Sequence, residues 1–264
     1  MPQNIKTELR DGGRANGCWL ELFNPLATEI IAQAGYDCVM IDLEHGPGSV
    51  LDLISIMQAI GGADCAPLVR VPANDPVWIK RVLDTGPAGV MVPAVNDAAE
   101  AEVAVAACRY APRGVRGMAA PVVRASKYGA ELKDYLSRVE DDLLIMCQIE
   151  SPIAVENVTA IAKVEGVDML FIGPFDLSAS VGYLGEPDHA EVVSMIQKVE
   201  TAAKDAGKLL GGIPTPGRDA KRLYAAGYDL VLADVDALLL RDSAQAGVQA
   251  LLRAAGRSPG GTTS

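Results

Sequence analysis

The chain has 264 residues, half of them hydrophobic and 5% aromatic, with a formal net charge of −11. That length suits one large domain or two small ones, and the apolar fraction can build a sizeable core. The acidity argues against nucleic acid and anionic membranes as partners. No apolar run approaches the ~18 residues of a membrane span, and the opening MPQNIKTELRDGG lacks a signal-peptide core, so a cytoplasmic location is expected.

Short apolar runs alternate with longer helical patterns. The strand candidates are GCWLELF (17–23), YDCVMIDL (36–43), APLVRV (66–71), AGVMVP (88–93), LLIMCQIE (143–150), DMLFIG (168–173), LLGGIP (209–214) and YDLVLAD (228–234). Most are apolar throughout, as strands covered on both faces should be. Between them lie helical stretches such as PLATEIIAQAG, which starts at Pro25 and stops at Gly35. A last helix is expected over about 236–254. Eight such units imply a (β/α)₈ TIM barrel, an α/β fold, as one domain over 1–255. A doubly wound open sheet is the alternative, but it usually carries a glycine-rich turn after its first strand, and LELFNP offers none.

Two segments depart from the repeat. Residues 111–142 form a long excursion of βα type, whose Arg113, Arg116, Arg124 and Tyr128 suggest a functional loop. Residues 256–264 are rich in Gly, Ser, Thr and Pro and are expected to be a disordered tail. Cys18, Cys38, Cys65, Cys108 and Cys147 are odd in number and have no C-x-x-C spacing. They read as buried thiols in a reducing compartment.

Barrel enzymes react at the C-terminal ends of their strands. There this sequence sets Asp42-Leu-Glu44-His45, Arg70, Gln148-Ile-Glu150, Gly173-Pro-Phe-Asp176 and Asp234-Val-Asp236. Glu150 and Asp176 suit a hard divalent ion, because two carboxylates stand there without His or Cys nearby. Each could instead cap the helix that follows it. His45, with Asp42 three residues before it, suits a general acid/base or a plain turn residue. Arg70, inside an apolar run, must find an anion, either a substrate carboxylate or an internal partner. His189 reads as a loop-to-helix residue.

Together the motifs IDLEHGP, RVP, LDTGPAGVMVP, the stretch ending RASKYG, QIESP and FIGPFDLSAS resemble the HpcH/HpaI aldolase family over about residues 15–250. The resemblance implies a metal-dependent pyruvate aldolase that forms a pyruvate enolate without a lysine Schiff base. That enolate adds to an aldehyde, or the reverse cleavage runs. No strand-end lysine contradicts this, since Lys80 and Lys163 lie in helical patterns. On this resemblance Glu150 and Asp176 hold Mg²⁺, Mn²⁺ or Co²⁺. Arg70, Gln148, Gly173, Pro174 and Trp19 contact substrate, and His45, oriented by Asp42, is the acid/base. Asp84 resembles a residue supplied across a subunit interface, in a trimer-based homohexamer that exchanges its last helix.

Aldehyde contacts are expected from loops 17–24, 111–130 and 213–218. The sequence departs from the family where Asp234-Val235-Asp236 replaces a Gly-Ser-Asp, and where LDTGP replaces LDAGA. An acyl-CoA lyase of the same superfamily, with Arg113, Arg116 and Arg124 as a basic path, is the second enzyme reading. A keto-acid-binding barrel without activity is the third.

Overall fold

The computed structural model describes residues 4–257. Eight parallel strands close into one barrel in sequence order. They are β1 (Ala15–Leu20), β2 (Cys38–Asp42), β3 (Ala66–Arg70), β4 (Gly89–Val92), β5 (Leu144–Ile149), β6 (Met169–Ile172), β7 (Leu209–Gly212) and β8 (Leu230–Val235). The helices are α1 (Ile5–Arg10), α2 (Pro25–Ala32), α3 (Val50–Ile60), α4 (Pro76–Leu83), α5 (Ala98–Cys108) and α6 (Leu132–Asp142). They continue with α7 (Pro152–Lys163), α8 (Pro174–Ser180), α9 (Ala190–Asp205), α10 (Ala220–Ala225) and α11 (Asp236–Ala254). The expected tail lies, from residue 258 onward, outside the described residues. No described helix is long and apolar enough to cross a membrane.

The eight runs are apolar on both faces because each face packs. One face joins a shell with the helices, through Ile41, Val69, Val90, Cys147 and Leu170. The other fills the barrel, through Trp19, Met40, Leu68, Met91, Met146 and Phe171. The register pairs Met40 with Leu68 and Asp42 with Arg70. Side chains alternate along a strand, so the residue two beyond each inner Met or Leu also points inward. Asp42, Arg70 and Gln148 therefore top the layer made by Met40, Leu68 and Met146. All five cysteines are buried and free.

The long excursion differs from the expectation. α5 runs antiparallel to the strands, so the segment after it leaves from the N-terminal end of the barrel. It is an αβ connection, and its last third is the regular helix α6. A helix that the sequence pattern left unread, α1, plugs the same end: Ile5 and Leu9 join the inner core. Buried Asp168 anchors it, taking the Ile145 backbone N–H at 2.9 Å and pairing with Lys6 at 3.0 Å and Arg10 at 2.5 Å. Lys6 also donates to the Leu143 carbonyl at 2.9 Å. α11 behaves otherwise. It packs on β1 and β8, only its Asp236 is buried, and Leu238, Leu240, Val248 and Leu251 stand exposed.

Asp168→Ala strands the Lys6 ammonium, and removing one partner of a buried pair costs about 3 kcal/mol. Urea unfolding checks this. A loss below about 1 kcal/mol, within the range of exposed pairs, would show that α1 is not held by this carboxylate.

Candidate active site

At the C-terminal mouth of the barrel Arg70 is held from three sides. Its Nε and Nη2 donate to the two oxygens of Asp42, at 2.8 and 2.5 Å. Its Nη1 lies 3.0 Å from Glu44 Oε2 and donates to Gln148 Oε1 at 3.4 Å. Its guanidinium carbon stands 4.6 Å from the centre of the Trp19 ring, which meets Phe171 edge-on. Burial pushes the Asp42 carboxyl up, but the hydrogen bonds and charge of Arg70 outweigh it and hold the group below the usual carboxylate range. A forked pair with an aromatic floor fixes the arginine's plane.

Asp42 also accepts the backbone N–H groups of Glu44 and His45, at 3.0 and 3.4 Å. This differs from the expected Asp42–imidazole contact. The Asp42 carboxylate points into the barrel and is spent on Arg70. The His45 side chain is 65% exposed, with its Nε2 4.0 Å from Glu44 Oε2. The glycines of HGPG have a packing reason: a Cβ on Gly46 or Gly48 would strike the Phe23 ring. That ring lies under the loop carrying His45.

Glu21, at the end of β1, was not singled out in the sequence. Burial first, then its hydrogen bond with Asp42, push its carboxyl up to about 8, so near neutral pH it carries a proton toward Asp42. The signal was present, since LELF sets an acid at a strand end like the others. Asp236 also gains a defined place: it takes the N–H groups of Glu21 at 2.9 Å and Leu22 at 3.2 Å.

Glu150 and Asp176 are not helix caps. Ser151 caps α7 by accepting the Ala154 N–H, and α8 has no side-chain cap. Glu150 Oε1 accepts the Ala94 N–H at 2.7 Å, and its Oε2 accepts from Gln148 Nε2. Ala94 adopts a left-handed φ of 52° to make that contact. Burial, then the charges of Asp176 and Glu44, push the Glu150 carboxyl up to about 7.

This corner fits a divalent cation. The donors are oxygens, three carboxylates share one arginine, and a Cβ on Gly173 would fall 3.0 Å from Glu150 Oε2 and Gln148 Nε2. Pro174 is buried behind Gly173 and starts α8. Among the described residues no group of three or more His, Cys, Asp or Glu side chains could hold a metal. Two carboxylates would therefore leave the remaining positions to water and substrate.

Other candidates lie elsewhere. Asp84 ends α4 at the opposite end of the barrel, where Arg116 donates to it at 2.9 Å. Arg113 pairs with Glu140 at 2.5 Å, and Arg124 donates to the Thr85 and Met57 carbonyls. These arginines brace the αβ connection, so the 111–130 segment lies away from this chain's own barrel mouth. His189 caps α9 and stacks on Tyr183. The one buried lysine among the described residues is Lys6, far from the mouth.

A closed eightfold barrel with acids and one fixed arginine at its C-terminal mouth defines a barrel enzyme that handles an anionic substrate. The family model for HpcH/HpaI aldolase/citrate lyase matches residues 15–243. A hydroxypyruvate/pyruvate aldolase of Chromohalobacter salexigens is 39% identical over 92% of this chain and 96% of its own length. A 4-hydroxy-2-oxo-heptane-1,7-dioate aldolase of Shigella sonnei is 40% identical over 93% and 94%. A crystal structure of an HpcH/HpaI aldolase/citrate lyase family protein from Burkholderia cenocepacia J2315 superposes with a TM-score of 0.89. That protein is 36% identical, with 94% of this chain and 98% of that one covered. The chain belongs to the HpcH/HpaI aldolase/citrate lyase family. It is an aldolase, a carbon–carbon lyase.

Asp42→Ala frees Arg70 from its fork and leaves a buried guanidinium without its main partner. A preorganised donor lost in this way lowers kcat/KM by about 10²-fold. Steady-state kinetics check it, and a loss under about threefold would mean that Arg70 needs no fixed plane.

Proposed function

We propose that the protein adds the enolate of pyruvate to an aldehyde, reversibly, and that Glu150 and Asp176 hold the divalent cation the reaction uses. The observation that carries this is the surplus of carboxylates beside a fixed arginine, with space kept open by Gly173. Pyruvate loses a methyl proton. The resulting carbon forms a bond to the aldehyde carbon, the aldehyde oxygen takes up a proton, and a 4-hydroxy-2-oxo acid results. A divalent cation, Mg²⁺, Mn²⁺ or Co²⁺, supplies the Lewis acid that favours the enolate.

The chain's own groups do the rest. Arg70, backed by Trp19, pairs with the pyruvate oxygens and meets the developing charge. Gln148 orients Glu150, while Gly173 and Pro174 shape the floor. Exposed His45 moves a proton at the aldehyde side. The name of the relative from Chromohalobacter, a hydroxypyruvate/pyruvate aldolase, supports pyruvate as a partner.

Proton NMR of pyruvate in D₂O, without aldehyde, tests the reading. The methyl signal is lost with Mg²⁺ or Mn²⁺ and retained with EDTA. Full exchange in EDTA refutes the metal role. A proton on Glu150 competes with the cation, because the carboxyl sits at about 7. The metal concentration for half-maximal exchange therefore rises up to about tenfold per pH unit below 7. A flat dependence between pH 8 and 5.5 would remove Glu150 as a ligand.

The proposed assembly is a trimer-based homohexamer in which α11 seats on a neighbour and Asp84 reaches a neighbour's site. It is supported by the exposed leucines of α11 and by Leu26 and Ile30, 71% and 69% exposed on α2. Leu240 and Leu251 share a helical face, eleven residues apart. Light scattering of a Leu240→Glu, Leu251→Glu variant is expected to show a smaller particle than the native hexamer; an unchanged mass argues against exchange.

A further inference from the structure

Asp42 is the anion that fixes Arg70, and its two oxygens are unevenly used. Oδ1 accepts three N–H groups, from Arg70 Nε at 2.8 Å, from Glu44 at 3.0 Å and from His45 at 3.4 Å. Of the N–H donors among the described residues, Oδ2 takes only Arg70 Nη2. The further partner of this carboxylate is the Glu21 side chain, which hydrogen-bonds to it from the end of β1. An ionised carboxylate only accepts, so two carboxyl groups can bond to each other only when one of them holds a proton. The fork from Arg70 keeps Asp42 ionised, which leaves the proton on Glu21.

Glu21 is fixed at both ends. Its backbone N–H, with that of Leu22, is held by Asp236 at 2.9 and 3.2 Å. The loop after β2 lies against its side chain, where a Cβ on Gly46 would fall 3.3 Å from Glu21 Oε2. The charged groups that bear on it are Asp42 on β2, Arg70 on β3 and Asp236 at the start of α11. Of the others nearby, Glu44 pairs with Arg70 at 3.0 Å, the His45 side chain turns outward, and Asp234 of β8 takes the Tyr36 hydroxyl at 2.8 Å. Arg70 is the one arginine or lysine among them. Ionised Glu21 would therefore set three carboxylates, its own, Asp42 and Glu44, on a single guanidinium.

We propose that Glu21 is a positioning residue for pyruvate binding: as a neutral acid it donates to Asp42, steadies the Asp42–Arg70 fork and leaves the charge of Arg70 available to the pyruvate oxygens. The inference rests on the aldolase reading above. Loss of the proton makes Glu21 repel Asp42, draw on Arg70 and add negative charge where an anion must bind. Pyruvate binding then weakens, while the reaction of pyruvate already bound changes less. The proton on Glu21 thus sets the alkaline limit of pyruvate affinity.

Methyl exchange of pyruvate in D₂O by the Mg²⁺-loaded enzyme is measured against pyruvate concentration and pH. Burial, then the bond with Asp42, raise the Glu21 carboxyl to about 8. Above that pH the half-saturating pyruvate concentration is expected to rise by up to about tenfold per pH unit, with the maximal rate changing less than about threefold. In Glu21→Gln, whose amide donates at every pH, half-saturation stays within about threefold of native at neutral pH and the alkaline rise disappears. Glu21→Ala raises half-saturation by at least about tenfold already at neutral pH, the scale of a hydrogen bond to a charged group. An alkaline rise that survives in Glu21→Gln belongs to another group and overturns the proposal. So does a Glu21→Ala variant with a lower maximal rate and unchanged half-saturation, as a merely structural role would give. The infrared difference between native and Glu21→Gln enzyme at neutral pH separates the two levels, through the carbonyl stretch of a protonated carboxylic acid. Absence of that band overturns the role of Glu21 alone, whereas the band without pyruvate exchange at any pH overturns the aldolase reading and the positioning for pyruvate with it.

Discussion

Arg70 is only 7% exposed at the end of an apolar strand, and everything at the barrel mouth is arranged around that fact. A buried cation is tolerated only when paired and hydrogen-bonded. Register supplies the partner: Asp42 is its neighbour across the β2–β3 ladder, so the two side chains emerge together from the same inner layer. Trp19 gives the planar group a floor, and protonated Glu21 steadies Asp42 from behind. What results is a cation whose plane is fixed before substrate arrives. Its third nitrogen, Nη1, meets Gln148 and Glu44 rather than the fork.

One arginine does not neutralise its surroundings. Asp42 takes most of its charge, which leaves Glu44, Glu150 and Asp176 with little compensation. The raised Glu150 carboxyl expresses that imbalance. A divalent cation at the proposed site would relieve that imbalance; strained Ala94 donates its N–H to Glu150, and Gly173 keeps space beside both Glu150 and Gln148. On the proposed reading the corner gains stability when a cation is bound there.

Much of this was legible in the sequence because buried parallel strands advertise themselves. Seven of the eight strand runs agree with the observed strands to within two residues at each end; the first is shifted toward its N-terminus. The polar ends of those runs named Asp42, Arg70, Gln148 and Glu150, since alternation fixes which residues face inward. Partners were harder to read. Whether Asp42 serves His45 or Arg70 depends on pairing with β3, which no local pattern encodes. α1 was missed because six residues are too few to show a period. The 111–142 excursion was placed at the wrong end, because chain order alone does not say where α5 stops and β5 begins.

α11 and Asp84 carry the remaining tension in the fold. The other helices after a strand bury an apolar face on the barrel, yet α11 exposes its leucines, and α2 exposes Leu26 and Ile30. Asp84 is fixed by buried Arg116 at the barrel end remote from this chain's own mouth. A helix without a seat, a seat without a helix and an anchored acid without a site are each odd in a lone chain. The proposed exchange answers all three with one arrangement. On that arrangement the barrel mouth is finished by groups this chain gives away, while Asp42, Arg70, Gln148 and Glu150 stand at the ends of its own strands β2, β3 and β5.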